Sequence, residues 1–63
     1  MNELININIY MLVDSYQVNV WQGQKLINEF NTLCRNDDAC GKVRRFVAQY
    51  DQYKLNDELG IVR

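Results

Sequence analysis

Apolar and polar residues alternate without a break at the start of the chain. Ile5, Ile7, Ile9, Met11 and Val13 fall on one face, and Asn6, Asn8, Tyr10 and Leu12 on the other. Period two with β-branched residues predicts a strand with one apolar face over about 4–12. A single strand leaves its backbone donors and acceptors open, so it needs a second strand, from this chain or from another copy.

Residues 14–23 carry two superposed patterns. Tyr16, Val18 and Val20 alternate with Gln17 and Asn19, which reads as a second strand with Asp14-Ser15 as the hairpin turn. Against this, Val13, Tyr16, Val20, Gly23, Ile27, Phe30 and Cys34 follow 3-4-3-4-3-4 spacing, the apolar seam of a long helix. Asp14 or Ser15 would cap that helix, and Asp14-Ser15 lacks the Gly or Asn that a two-residue turn favours. The spacing therefore favours a helix over about 15–35, with Gly23 inside it at a cost of about 1 kcal/mol against Ala.

Asn36-Asp37-Asp38 reads as a turn and N-cap, with acidic groups suited to the positive end of a helix dipole. A second helix is predicted over about 38–54, with Ala39, Val43, Phe46, Val47, Tyr50 and Tyr53 on its apolar face. Residues 55–63, with Gly60 and the apolar Leu59, Ile61 and Val62, form a docked tail. The expected fold is thus α+β and mostly helical. It is a single domain over 1–63 in which one N-terminal strand precedes a two-helix hairpin.

Composition turns this outline toward a partner. The chain is 48% hydrophobic but only 63 residues long, and a chain of that size buries only about 60% of the surface its unfolded form exposes. An intertwined homodimer resolves the mismatch, with Ile5, Ile7, Ile9, Met11 and Val13 as its interface. Aromatic residues supply a second candidate surface. Trp and Tyr are favoured interface anchors, and Trp21 lies off the long seam, so it must pack on another element or another chain. A cleft of Trp21, Phe30, Phe46 and Tyr50 would suit an amphipathic helix from an unidentified protein.

Charge and candidate chemistry narrow the function further. The net charge is −1, which gives no broad attraction to nucleic acid. Lys42-Val43-Arg44-Arg45 is the densest basic cluster, and with Asp37 and Asp38 nearby it reads as a solvated helix face. Asn6 and Asn8 beside Tyr10 read as the wet face of an edge strand. No His is present to serve Ser15 or the two cysteines as a base. The three glycines are isolated, so no phosphate-binding loop is formed. No catalytic residue, metal site or cofactor is expected. Cys34 and Cys40 read as reduced thiols. The first apolar run is interrupted by Asn6 and Asn8 and is too short to span a bilayer, which points to the cytoplasm.

Strand, helix, helix in a short chain resembles the outline of ribbon-helix-helix repressors, whose paired strands read the DNA major groove. This strand carries no Lys or Arg, so DNA binding is the second reading. From ININIYMLV through LCRNDDACGKVRRFVAQYDQYKLNDELGIVR, the whole chain resembles the small early proteins encoded between the exonuclease and excisionase genes of lambdoid bacteriophages. That resemblance implies a homodimer with one strand and two helices per chain, made in the bacterial cytoplasm. It also implies a non-enzymatic role that favours lytic development by contact with a host or phage protein.

Overall fold

The structure, a computed structural model, describes residues 4–62. Four strands and one helix form two layers. Strand β1 spans Ile5–Leu12, β2 Ser15–Gln22, β3 Lys25–Leu33 and β4 Lys54–Asp57, while helix α1 spans Ala39–Val47. The sheet order is β3-β2-β1-β4. β1 pairs antiparallel with β2 and parallel with β4, and β2 pairs antiparallel with β3.

The mostly helical fold expected from the sequence is therefore corrected. In place of a helix over 15–35 there is a hairpin of β2 and β3. Its turn is Gly23-Gln24, with Gly23 at φ 62. Glycine at the first position of a two-residue turn adopts that conformation without a Cβ clash. The 3-4 seam dissolves accordingly. Val13 and Gly23 lie in turns, and Ile27 is the extra residue of a bulge between the Val20–Asn28 and Trp21–Leu26 pairs. The hairpin wins because it buries Val18 and Val20 on one face, both at 0% exposure. A helix would have set Val18 off its apolar seam. The hairpin also gives β1 a neighbour inside the chain, which meets the need for a second strand locally.

The β1–β2 connection is tighter than the predicted Asp14-Ser15 turn. Leu12 faces Ser15 across the ladder, so Val13-Asp14 is the turn. Val13 sits at φ 50 and Asp14 keeps an ordinary backbone. Ser15 Oγ donates to the Leu12 carbonyl at 3.1 Å, and Cys34 N–H donates to the Asp14 carbonyl at 2.9 Å. These bonds hold the turn from both neighbours.

The second predicted helix, 38–54, is likewise shortened to Ala39–Val47. Ala48, Gln49 and Tyr50 donate to the carbonyls of Arg44, Phe46 and Val47, and Gln49 Nε2 also donates to Phe46 O at 3.1 Å. The chain then turns, so that Lys54–Asp57 can pair with the open side of β1. The 55–63 tail thus includes most of β4. Among the described residues there is one helix, so the two-helix hairpin and the ribbon-helix-helix arrangement are both replaced by the four-stranded sheet. The strand-helix-helix fold implied by the phage resemblance is absent too.

Residues directly opposite in a sheet share a face. On the face beneath α1, one row runs Leu55, Ile7, Val20, Asn28 and the next runs Asp57, Ile9, Val18, Phe30. Ile7, Ile9, Val18 and Val20 meet Val43 and Val47 of α1 and Ile61 of the tail to form the core. Arg44 Nε donates to Ile61 O at 2.9 Å, tying the tail to the helix. Among the described residues, no helix or strand covers the opposite face.

Candidate functional site

The residues expected to form a dimer interface do not form one continuous surface. Ile7 and Ile9 lie fully buried in the core, Ile5 is half-buried against the same core, Met11 is exposed, and Val13 is 97% exposed at the turn. The predicted cleft divides by face. Phe30, Phe46 and Tyr50 come together, with Phe30 stacked on Phe46 at 5.1 Å between centroids and Tyr50 edge-on to Phe46 at 6.3 Å. Asn28 Nδ2 donates to Tyr50 OH at 3.1 Å and holds its ring over β3. Trp21 points to the other face of the sheet, opposite Asn6 and Leu26.

The aromatic group stands beside the outer edge of β3. Which backbone groups that edge offers follows from the ladder. Hydrogen-bonded and non-bonded pairs alternate between antiparallel strands, and Cys34 N–H bonds to Asp14 O just past the Leu33–Ser15 pair. Counting back, Thr32, Phe30 and Asn28 bond to β2, while Glu29, Asn31 and Leu33 turn their N–H and C=O groups outward. Two of these six are taken. Asn28 Oδ1 accepts from Glu29 N–H at 2.9 Å, and Leu33 O accepts from Asn36 N–H at 3.0 Å. Among the described residues, the Glu29 carbonyl, both groups of Asn31 and the Leu33 N–H have no protein partner. The bulge at Ile27 ends this open stretch on one side and the Asn36 turn on the other. Bulges and side-chain cover are how sheets restrict pairing at an edge; here they leave a window centred on Asn31.

The bare face of the sheet is polar. Its rows read Leu12, Ser15, Leu33, then Tyr10, Gln17, Asn31, then Asn56, Asn8, Asn19, Glu29, then Lys54, Asn6, Trp21, Leu26, so its centre is amide-rich with leucines at the margins. Gln17 is the hub. Its Nε2 donates to Asn19 Oδ1 at 2.8 Å and Glu29 Oε1 at 3.2 Å, and its Oε1 accepts from Asn31 Nδ2 at 2.9 Å. Asn31 Nδ2 also reaches Ser15 Oγ, and Asn19 Nδ2 donates to Tyr10 OH. Sequence reading found Asn6, Asn8 and Tyr10 on a wet face. It missed Gln17, Asn19, Asn31 and Asn56, because the helix assigned to 15–35 and the tail hid the strands that align them.

The family-model comparison and the comparisons with curated proteins and solved structures return no match, and nothing in them links the chain to phage early proteins.

Chemistry elsewhere is limited. Cys40 Sγ lies 4.0 Å from Tyr16 OH. That contact, with the charge of Cys40, burial and Cys34 adding to it, holds the Tyr16 phenol above its ordinary range. Both cysteines are free. Among the described residues, no three His, Cys, Asp or Glu side chains group as metal ligands, and no helix is long and apolar enough to cross a membrane. The basic cluster divides: Arg44 holds the tail and Arg45 pairs with Asp38 at 3.1 Å.

Asp57 is 3% exposed and organises the end of the chain. Its Oδ1 accepts from Leu59 N–H at 3.2 Å and its Oδ2 from Val62 N–H at 2.8 Å. Burial pushes its pKa up, but the backbone N–H groups of Val62, Ile61, Leu59 and Gly60 outweigh burial and set it below the usual carboxylate range.

Proposed function

We propose that this chain is a small non-enzymatic binding domain whose partner is a protein segment in extended conformation, added as a strand to the outer edge of β3. The observation that carries this reading is the window of open backbone groups around Asn31, set beside the half-buried Phe30, Phe46 and Tyr50. Main-chain hydrogen bonds to a sheet edge supply affinity, and neighbouring pockets for alternate side chains supply specificity. The aromatic group is that neighbour here. An amphipathic helix satisfies its own backbone and has nothing to give this edge, so an extended segment is the better occupant.

Asn31→Pro tests the proposal. It removes the outward N–H while sparing the ladder to β2, since only the inward-facing residues of β3 bond there. Asn31→Ala is the control, because it loses the same side-chain bonds but keeps the N–H. Peptides selected from a random library on the folded chain should lose binding to Asn31→Pro and retain it with Asn31→Ala. Equal binding to both variants would refute the edge reading. A pro-lytic role in phage development rests on the resemblance alone, and the proposal does not depend on it.

A further inference from the structure

We infer that the bare face of the sheet holds a second, separate binding site, and that its ligand is a neutral oligosaccharide. The site is a grid of six positions on β4, β1 and β2: Lys54, Asn6 and Trp21 in one row, and Asn56, Asn8 and Asn19 in the next. Strand spacing and residue rise make this grid about 10 Å by 7 Å, the footprint of two linked sugar rings lying flat.

The chemistry of the grid selects the ligand. Each carboxamide offers two donors and an acceptor with two lone pairs, the combination that matches a vicinal pair of hydroxyls. Asn19 is committed to Tyr10 and Gln17. Asn6, Asn8 and Asn56 make no side-chain hydrogen bond to the described residues, and all three are at least partly exposed. The bonded network of Gln17, Asn19 and Tyr10 borders Asn8, and the ladders of β1 to β2 and β4 align the three open amides. Trp21, half-buried at the corner, supplies a flat π face that stacks on the C–H face of a pyranose. Lys54 adds donors for a hydroxyl oxygen.

Charge decides against the main competitor. Stacking aromatics on an open sheet also suit single-stranded nucleic acid, but such sites join the aromatics to a positively charged groove. Among the described strand positions, the bare face carries one cation, Lys54, against one anion, Glu29. The chain as a whole is at −1. Phosphates have too little to bind, whereas neutral hydroxyls meet an array of amides.

The test is an NMR titration of the full chain with neutral tetrasaccharides of glucose and of N-acetylglucosamine, with a single-stranded oligonucleotide in parallel. At least one tetrasaccharide should shift the side-chain amides of Asn6, Asn8 and Asn56 and the Trp21 indole N–H, with saturation in the millimolar range. Trp21→Ala should weaken binding roughly tenfold, the scale of one stacking contact. Asn6→Ala with Asn8→Ala alters only side chains outside the core, so this double variant keeps the fold, and it should weaken binding at least as much. No shift with any saccharide would overturn the site. So would shifts that survive both variants, or tighter binding of the oligonucleotide at the same residues. Peptide binding at the β3 edge should be untouched by these variants, so the two sites fail independently.

Discussion

Val18 of β2 stands directly across from Phe30 of β3, and this pair is where the core meets the edge of the sheet. Val18 is fully buried, whereas Phe30 is half-buried and leans on Phe46. Truncating Phe30 therefore acts on both stability and binding. Phe30→Ala should cost about 2 kcal/mol, below the range for a fully buried Phe, and should weaken peptide binding as well. Phe30→Leu should restore most of the stability. Urea unfolding of the two variants checks the order.

The turn at Val13 should be improvable. A β-branched residue at positive φ is a genuine outlier, and Val13 holds φ 50 with its side chain almost fully in water. Nothing in the core depends on it. Asn tolerates the left-handed region far better, so Val13→Asn should stabilise the chain by about 1 kcal/mol. A lower urea midpoint for the variant would show that the valine is held there by a contact it makes.

Asp57 gives the fold an acid-sensitive end. A carboxyl whose folded pKa lies below its unfolded value, about 3.9, contributes stability that is present above that unfolded value. The contribution is lost as pH falls through the folded pKa. Asp57→Asn should cost about 1–3 kcal/mol at neutral pH, since one buried carboxylate serves several backbone N–H groups. The loss of stability as pH falls below the ordinary carboxylate range should then become shallower than in the parent chain. An unchanged acid slope would remove Asp57 from that role.

One chain buries a core of its own. Ile7 and Ile9 are fully buried in one cluster with Val18, Val20, Val43, Val47 and Ile61, and β1 has neighbours on both sides. The chain should stay folded on dilution to concentrations at which sedimentation shows a monomer. Ile9→Ala should cost 2–5 kcal/mol, a large share of the stability of so small a domain. Unfolding on dilution would instead demand a second copy.

How much of this was legible in the residues differs by segment. The alternation of Ile5, Ile7 and Ile9 with Asn6 and Asn8 marks the stretch that β1 occupies, because one face is apolar and the other amide. Residues 15–33 read as helix because Tyr16, Val20, Ile27 and Phe30 satisfy a helical period by coincidence. Both strands of the hairpin face the same helix, and a turn plus a bulge shift the phase between them. Gly23 was the available signal: in a helix it is a cost, and at a turn it is the residue needed. Lys54–Asp57 was obscure for another reason. Four residues hold too little periodicity, and this strand exists because β1 has a free edge to fill. Phe30, Phe46 and Tyr50 were named together from their chemistry. That Trp21 belongs to the other face depends on strand register, which spacing alone does not disclose.

Backbone amide hydrogen exchange with a selected peptide bound tests strand addition to β3 at Asn31 most directly. Binding should slow exchange at Asn31 and Leu33, whose N–H groups turn outward. It should leave Phe30 and Thr32, already bonded to β2, nearly unchanged, and the peptide itself should show protection at alternate residues. Uniform protection across β3, or protection confined to α1 or to the face of Asn6 and Asn8, would contradict strand addition at this edge.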